Sequence, residues 1–539
     1  GGLLQAQSLP VGSPLLEDIY RRRQLTGDRD SLVSFLVRPL VSRTKAEADT
    51  LFQADVEEER FLNGRGRFRV LPATTKQQYN THHPFGWNDG PMIPANGYQS
   101  YFTAGFYASV GDWLSVQLQP EWVYAANRPF ATFPTQHTDS IWQAYYTFAN
   151  DIDNPEKYGD RNYTRVFPGQ SSVRFNYKKL SLGISTESLW WGPGIRNSLV
   201  MSNNAPGFLH LTLNSRAPMK TFLGHFEWQL ISGFLENSGI LPLDTSRQFE
   251  GQPLYKPKPD HNRYINAMTI AWQPKWVPHL FLGFSRSFYQ YNRDIPKSIN
   301  GYLPVFSGLF KGSGHDDFAL GRDQLLAFSF RWVFPKEMAE VYAEFGRNDH
   351  AQNSEDFLLE PEHSRAYQLG LHKLFKAKKE REVELLVEMT QTQAPATGNL
   401  RALQPWYVHY QTRHGYTNLG QVIGAGIGPG GNSQTLALSI NKGLQKTGIV
   451  FDRIVHNNDF YYQAFTPLHK FEYHWVDLSV TALKTWQFRN LLLSANASFI
   501  RSFNYQWRYK ENPATLLNGW RKDINNLQLG CAVSYLFGK

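Results

Sequence analysis

Cysteine is almost absent. Cys531 stands alone in 539 residues, which excludes a disulfide within the chain and any zinc site built on cysteine pairs. Long apolar runs are missing too: no stretch approaches the ~18–20 uninterrupted apolar residues of a membrane-crossing helix, and mean hydropathy is −0.44. The formal charge is +9, but lysines and arginines are dispersed where a nucleic-acid surface needs a clustered basic face, so no nucleic-acid partner is expected. Softer attraction to an acidic polysaccharide or to lipopolysaccharide phosphates fits that charge. No complete signal peptide is present. GGLLQAQSLP, with Leu4-Gln5-Ala6 resembling a small-residue cleavage site, reads as the end of one, although a cloning remnant would look similar.

Reactive constellations are equally scarce. Gly183-Ile184-Ser185-Thr186-Glu187 lacks the final glycine of a nucleophile elbow, and Ser185 sits inside an alternating segment. Lys311-Gly312-Ser313-Gly314 has the wrong order for a phosphate-binding loop. His82-His83, His315-Asp316-Asp317 and Asp349-His350 read as solvated loop residues, since none has helical i, i+4 ligand spacing or a cysteine partner. No glycosidase-like carboxylate pair stands out. No catalytic residue, metal or cofactor is therefore expected, and the chain reads as a non-enzyme.

Aromatics, by contrast, are abundant: 37 Phe, 27 Tyr and 15 Trp make up 15% of the chain. A polar chain this rich in aromatics suits a transmembrane β-barrel, whose strands need only alternate and whose interfacial girdles use Tyr, Trp and Phe. Alternation is indeed the rule from about Tyr98. Phe102, Ala104, Phe106 and Ala108 oppose Tyr101, Thr103, Gly105 and Tyr107; Phe328, Phe330 and Trp332 oppose Ser329 and Arg331. Leu527, Leu529, Cys531, Val533 and Tyr535 oppose Gln528, Gly530, Ala532 and Ser534. A soluble antiparallel sheet shares this pattern. The segments, however, run about ten to thirteen residues, long enough for a tilted crossing.

Connections alternate in length as well. Short ones (Gly111-Asp112, Lys178-Lys179, Pro274 to Pro278, Pro335 to Met338, Gly443 to Thr447) alternate with long ones near 126–140, 195–218, 236–261, 290–321, 393–432, 457–472 and 503–523. Short periplasmic turns and long external loops are the arrangement of outer-membrane barrels. The expectation is an all-β protein, a transmembrane antiparallel barrel of about 18 strands over 67–539. Residues 1–66 form a small α-helical periplasmic module. Ser13-Pro14 opens one helix carrying Leu15, Leu16 and Ile19. Thr44-Lys45-Ala46-Glu47 is a capping box for a second, running to about Glu59 and ended by Gly64 and Gly66. Residues 61–97 read equally as a first strand or a linker.

Two loop tracts draw attention. WWGPGIRNSLVMSNNAPG, from Trp190 to Gly207, places two tryptophans on a backbone that Gly192, Pro193 and Gly194 keep out of regular structure. It follows an alternating segment beginning near Leu180, and the expectation is an ordered, inward-folded segment with sheltered indoles. The stretch 393–432 carries Trp406, Tyr407, His409, Tyr410 and Tyr416 before a glycine-rich run. Aromatic faces beside polar donors suit sugar rings; equally, these aromatics serve to hold a long loop on its barrel.

WWGPG followed by SNNAPG, the helical start, the alternating barrel and the tract YVHYQTRHGYTNLGQVIGAG together resemble the Wzi family of outer-membrane capsule-assembly proteins. VSFLVRPL (Val33 to Leu40) and RIVHNNDF (Arg453 to Phe460) look like versions from Bacteroidota relatives. The resemblance covers nearly the whole chain. It implies a periplasmic helical bundle, a barrel of about eighteen strands closed by external loops, and a lectin-like hold on exported capsular polysaccharide without covalent chemistry. Its signature falls on Trp190, Trp191, Gly192, Pro193, Gly194, Ser202, Asn203 and Asn204. Gly192, Pro193 and Gly194 are expected to brace the lumen as a structural turn. Polysaccharide contacts are expected among Trp190, Trp191, Arg196, Asn203, Asn204, Trp406, Tyr407, His409 and Tyr410. The implied address is the Gram-negative outer membrane, with lipid, lipopolysaccharide and capsular or surface polysaccharide as partners. Two other readings stay open: a scaffold or accessory subunit bound to other outer-membrane proteins, and an open porin.

Overall fold

The computed structural model describes residues 7–11, 14–27, 32–42, 58–307, 321–348, 354–395, 404–465, 473–510 and 520–538. One closed antiparallel barrel of 18 strands dominates it. The first half of the wall is Gly66–Asn80, Gly97–Val110, a strand in two pieces (Leu114–Leu118 and Glu121–Ala125), another in two pieces (Tyr163–Phe167 and Ser172–Tyr177), Leu180–Ser185, His210–Ser215, Gly224–Leu235, Arg263–Pro274 and Leu280–Tyr291. The second half is Asp323–Phe334, Ala339–Asn348, Arg365–Ala377, Arg381–Gln391, Asn432–Lys442, Gln445–Val455, Val476–Phe488, Leu491–Phe503 and Ile524–Tyr535. Closure comes from the last strand pairing with the first, Tyr535 with Ala73 through to Gln528 with Asn80. No edge is left to aggregate.

Alternation sets which side chain meets lipid. Phe328, Phe330 and Trp332 stand outside, as do Leu436, Leu438, Ile440, Leu527 and Leu529, all exposed. The intervening positions point inward and are polar yet buried, among them Arg331, Glu340, Glu344, Gln368, His372 and Glu388. Each such charge has to find a partner inside, so this lumen is filled rather than a wide water channel.

The filling enters from both ends. At the short-turn end lies the helix Pro14–Leu25, opened by proline at its first position, where the missing N–H costs nothing. Arg21 pairs with Glu340 at 2.6 Å and Arg22 with Glu382 at 2.8 Å. Arg331 reaches from the wall to Gln24 Oε1 at 2.7 Å and to the Ser34 carbonyl at 3.1 Å. Leu25 and Leu36 complete an apolar cluster with Phe281, Val333 and Leu374. The expected second helix lies on residues largely outside those described. Its anticipated end differs: Glu59–Phe61 is a short strand, hairpin-paired to Gly66–Phe68 around Gly64, whose φ is +82°. Residues 61–97 prove to hold the first barrel strand and then a long connection over 81–96.

From the opposite end, the chain leaves the wall after Ser185 and dives inward. Trp190–Trp191 form a two-residue ladder with Val37–Arg38, so the two tracts VSFLVRPL and WWGPG are one structural unit. The Arg38 guanidinium lies 4.7 Å over the Trp190 ring and donates to the carbonyls of Gly192 and Gly194 at 2.9 and 2.8 Å. Trp191 is fully buried, its Nε1 donating to Gln229 Oε1 at 3.1 Å. Gly192 sits at φ +122°, and a Cβ there would lie 2.9 Å from Glu344 Oε2. Beyond Pro193 the backbone curls around one carboxylate: Glu388 accepts the N–H groups of Ile195, Arg196 and Asn197 at 2.8, 3.0 and 2.9 Å. Tyr342 and Gln368 donate to the same carboxylate at 2.7 and 2.6 Å. A buried carboxyl group held by five donors fixes this segment to the wall.

Residues 404–431 lie over this inward segment. With the helices Asp139–Ala149 and Asn458–Phe465 they close a large apolar core containing Trp142, Tyr146, Leu199, Met201, Trp406, Tyr407, Tyr416 and Phe460. Among the described residues, no helix is long and apolar enough to cross a membrane. Crossing belongs to the strands.

Candidate functional site

Between these loops and the wall, at the long-loop end, lies a cavity of about 350 Å³, within the range of small-molecule and cofactor sites. Separate segments supply it, among them Pro84 to Pro94 after the first strand, Tyr145 to Glu156 around the helix Asp139–Ala149, Asn204, Gln421 to Pro429, Ile454 to Phe460, Trp475 with Asp477, and Tyr505 to Trp507.

One wall is aromatic and rigid. The His456 imidazole stacks on Trp475, with centroids 3.8 Å apart and planes 19° from parallel. Asp477 ties the pair together, accepting from Trp475 Nε1 at 3.0 Å and meeting His456 Nε2 at 2.8 Å. Tyr505 and Trp507 both stand edge-on to Trp475 at 5.2 Å. Behind them His83 packs on the Tyr505 ring at 4.4 Å and meets Ser502 Oγ at 3.2 Å. Burial lowers the His83 pKa to about 4, leaving it neutral near pH 7.

A second part of the lining is built on Trp87. Arg196 lies 4.7 Å over its ring and is itself tied to Asp452 at 3.1 Å. Asn203 and Asn204 hold the Trp87 segment in place. Gly90 N–H donates to the Asn203 carbonyl at 2.7 Å, Asn203 Nδ2 donates to the Asn88 carbonyl at 3.1 Å, and Asn88 N–H donates to Asn204 Oδ1 at 3.3 Å. Asn204 Nδ2 reaches the Val422 carbonyl at 2.9 Å, and Gln421 Nε2 the Asn204 carbonyl at 2.7 Å. Glu156 accepts from Tyr145 Oη and the Phe133 N–H, both at 3.0 Å. Desolvation raises both Glu156 and Asp89 above the usual carboxylate range. For Asp89 the opposing influence is the charge of Lys76 and Arg196.

Residues singled out in the sequence thus divide. Asn204 lines the cavity, while Arg196 and Asn203 support its Trp87 wall. Trp190 and Trp191 are buried deeper, on the Arg38 ladder. Trp406 and Tyr407 are 1% and 0% exposed. Trp406 Nε1 donates to the Ser364 carbonyl at 2.9 Å, and Tyr407 Oη donates to the Leu199 carbonyl at 2.8 Å. His409 is buried near Asp323, and Tyr410 is half exposed beside His409. None of these six is part of the cavity lining. The aromatic wall itself was missed. Its trace is the pairing of aromatic and polar residues just beyond strand ends, in His474-Trp475-Val476-Asp477 and in Asn504-Tyr505-Gln506-Trp507. Among the described residues no group of three or more His, Cys, Asp or Glu is placed to hold a metal ion.

The cavity also gathers the tracts that carried the resemblance. RIVHNNDF supplies Ile454, His456, Asn457 and Phe460; QVIGAG supplies Gln421, Val422 and Gly426; SNNAPG supplies Asn204. Comparison with known proteins agrees. The family model described as capsule assembly protein Wzi matches residues 73–447. The Escherichia coli structure described as Wzi, an outer membrane protein involved in group 1 capsule assembly and a carbohydrate-binding β-barrel, superposes with TM-score 0.60 at 13% identity, covering 100% of both chains. OccAB4 of Acinetobacter baumannii is a more distant barrel, with TM-score 0.37 and 10% identity over 86% of this chain and 97% of its own. OprD of Pseudomonas aeruginosa gives TM-score 0.36 and 9% identity over 90% and 95%. No curated protein matches the sequence. The chain is an outer-membrane β-barrel and belongs to the Wzi family of capsule-assembly proteins.

Proposed function

We propose that this barrel binds surface polysaccharide, capsular or exopolysaccharide, in the cavity at its long-loop end, in the manner of a lectin and without covalent chemistry. The observation that carries this reading is a lining that combines aromatic rings, Trp87, Trp475, Tyr505 and Trp507, with the carboxylates Asp89, Glu156 and Asp477 and the amides Asn154, Asn204 and Gln421. Aromatic faces accept the C–H faces of pyranose rings while the polar groups meet hydroxyls. The filled lumen supports holding rather than transport, because the segments from both ends occupy the path a solute would take. In this reading the short-turn end, with the module 1–66, is periplasmic and the long loops face outward. The exposed apolar belt meets lipid, and the dispersed positive charge meets lipopolysaccharide phosphates.

The test is retention of labelled surface polysaccharide by the purified barrel in liposomes. Trp475→Ala and Trp87→Ala should each lower affinity about tenfold, the worth of one aromatic contact. Tyr410→Ala, outside the cavity lining, should leave it unchanged; equal retention by all variants would remove the cavity from the account.

A second reading is a subunit of a larger outer-membrane assembly. It is favoured by apolar side chains exposed on long connections, Leu358 and Leu359 at 76% and 74% and Ile299 at 79%. Such side chains mark partner contacts where they cluster. Native extraction in mild detergent distinguishes the two: a co-eluting protein supports the assembly, a co-eluting glycan the lectin.

A further inference from the structure

We infer that the outer wall of the barrel carries a binding site for the phosphorylated head group of an outer-leaflet glycolipid, built on Arg453 and Arg501 at the long-loop rim. The site lies apart from the cavity, and polysaccharide binding there stands or falls without it.

Strand pairing lays five outward-facing residues side by side: Gln434, Arg453, Leu478, Arg501 and Asn525. Two residues further down the same strands the row reads Leu436, Phe451, Val480, Phe499 and Leu527, apolar and exposed throughout. One row stands about 7 Å from the next along the strands. Apolar surface therefore gives way to guanidinium within one pleat repeat, at the upper border of the band that meets acyl chains.

Arg453 has donors to spare. It is exposed, and among the described residues it makes one hydrogen bond, from Nη1 to the neutral Gln434 Oε1 at 2.8 Å; a guanidinium has five N–H donors. Gln434 is itself positioned. Its Nε2 donates to Asn432 Oδ1, Asn432 Nδ2 donates to Gln391 Oε1 at 3.2 Å, and Tyr367 Oη donates to that same oxygen at 2.7 Å. Arg501 stands two strands from Arg453, a separation of about 10 Å. It is 39% exposed, donating to Asn525 Oδ1 at 3.0 Å and pairing with Asp523 at 3.1 Å. Lys522, exposed beside Asp523, leaves this corner with a net positive charge. Elsewhere on the wall an outward arginine is sealed: Arg286 is 1% exposed and donates to the Val305 and Ser307 carbonyls at 3.2 and 2.7 Å. Arg453 has no such cap. A phosphate ester seated between the two guanidiniums takes their remaining N–H groups in the geometry arginine favours, while its acyl chains lie along Phe451 and Phe499.

The experiment is native mass spectrometry of the full chain in detergent micelles with three probes: lipid A, the same lipid A stripped of its phosphates, and inorganic phosphate. Lipid A should bind at least tenfold tighter than its stripped form, and inorganic phosphate should not be retained. Arg453→Gln should weaken lipid A about tenfold without lowering the melting temperature, and Arg453→Gln with Arg501→Gln should erase the preference. Lys220→Gln, the same loss of charge on an exposed residue at the short-turn end, should leave it unchanged. Equal binding of the two lipids, or a preference that survives the double variant, would overturn the inference. So would an equal loss in Lys220→Gln, which would mean bulk charge, or retention of inorganic phosphate as tight as that of lipid A.

Discussion

Glu388→Ala is the sharpest perturbation of the inward fold. The carboxylate it deletes collects three consecutive backbone N–H groups, from Ile195, Arg196 and Asn197, at 2.8 to 3.0 Å. Two wall side chains, Tyr342 and Gln368, add their donors. Each buried N–H left without an acceptor costs about 1–3 kcal/mol, so the three together lose about 3–9 kcal/mol before water enters. The Arg38 clamp on Gly192 and Gly194 survives the substitution. Loosening should therefore begin at Ile195 and leave Trp190 and Trp191 in place. Hydrogen exchange read by mass spectrometry should show the amides of 195–197 opening at least a hundredfold faster, the lower end of that range at 1.4 kcal/mol per tenfold. In planar bilayers the variant should stay near silence, because the helix Pro14–Leu25 still occupies the short-turn mouth. Unchanged exchange at 195–197 would refute the claim that Glu388 holds the segment.

Other perturbations follow from the same contacts. Gly192→Ala forces a side chain into φ +122° and brings its Cβ to 2.9 Å from Glu344 and 3.1 Å from Ser198; a loss of about 2–4 kcal/mol should appear as a lower melting temperature in detergent. Burial raises Asp459 to about 7, with one oxygen accepting the Ala394 N–H at 2.9 Å and the other unpartnered. Its folded-state affinity for a proton exceeds the unfolded one, so its contribution declines as pH rises from about 4 to 7. Asp459→Asn should accordingly stabilise the protein at pH 8, by about 4 kcal/mol at most, and do little near pH 4. His83 has the opposite sign: lowered to about 4, it favours the fold fully above pH ~6.5 and loses that as pH falls to 4. Proteolysis within 81–96 should quicken on acidification in the native chain, and less in His83→Phe.

The barrel was legible because the information is local. Period-two alternation and the short-long rhythm of connections survive in any window of a dozen residues, as in Phe328 to Trp332 or Leu436 to Ile440. It failed at Gly66–Asn80, where GRFRVLPATTKQQYN carries Pro72 and a register shift between Leu71 and Thr74, and its second half is polar on both faces. The helix Asp139–Ala149 was missed although Ile141, Trp142, Tyr145 and Phe148 recur at helical spacing. The burial of the WWGPG indoles was foreseeable from their cost in water. Their partner was not: the Val37–Arg38 ladder lies more than 150 residues away. The cavity is harder still, since its distant segments meet only after the loops fold inward. Loop aromatics in sequence look alike; whether Trp406 fills a core or Trp475 lines a cavity depends on neighbours that no local pattern names.

The most direct test is a structure of the barrel solved with its surface polysaccharide bound. Saccharide density in the cavity lined by Trp87, Trp475 and Trp507 is what the account predicts. Glycan seated elsewhere, or an open lumen through which it threads, would contradict it.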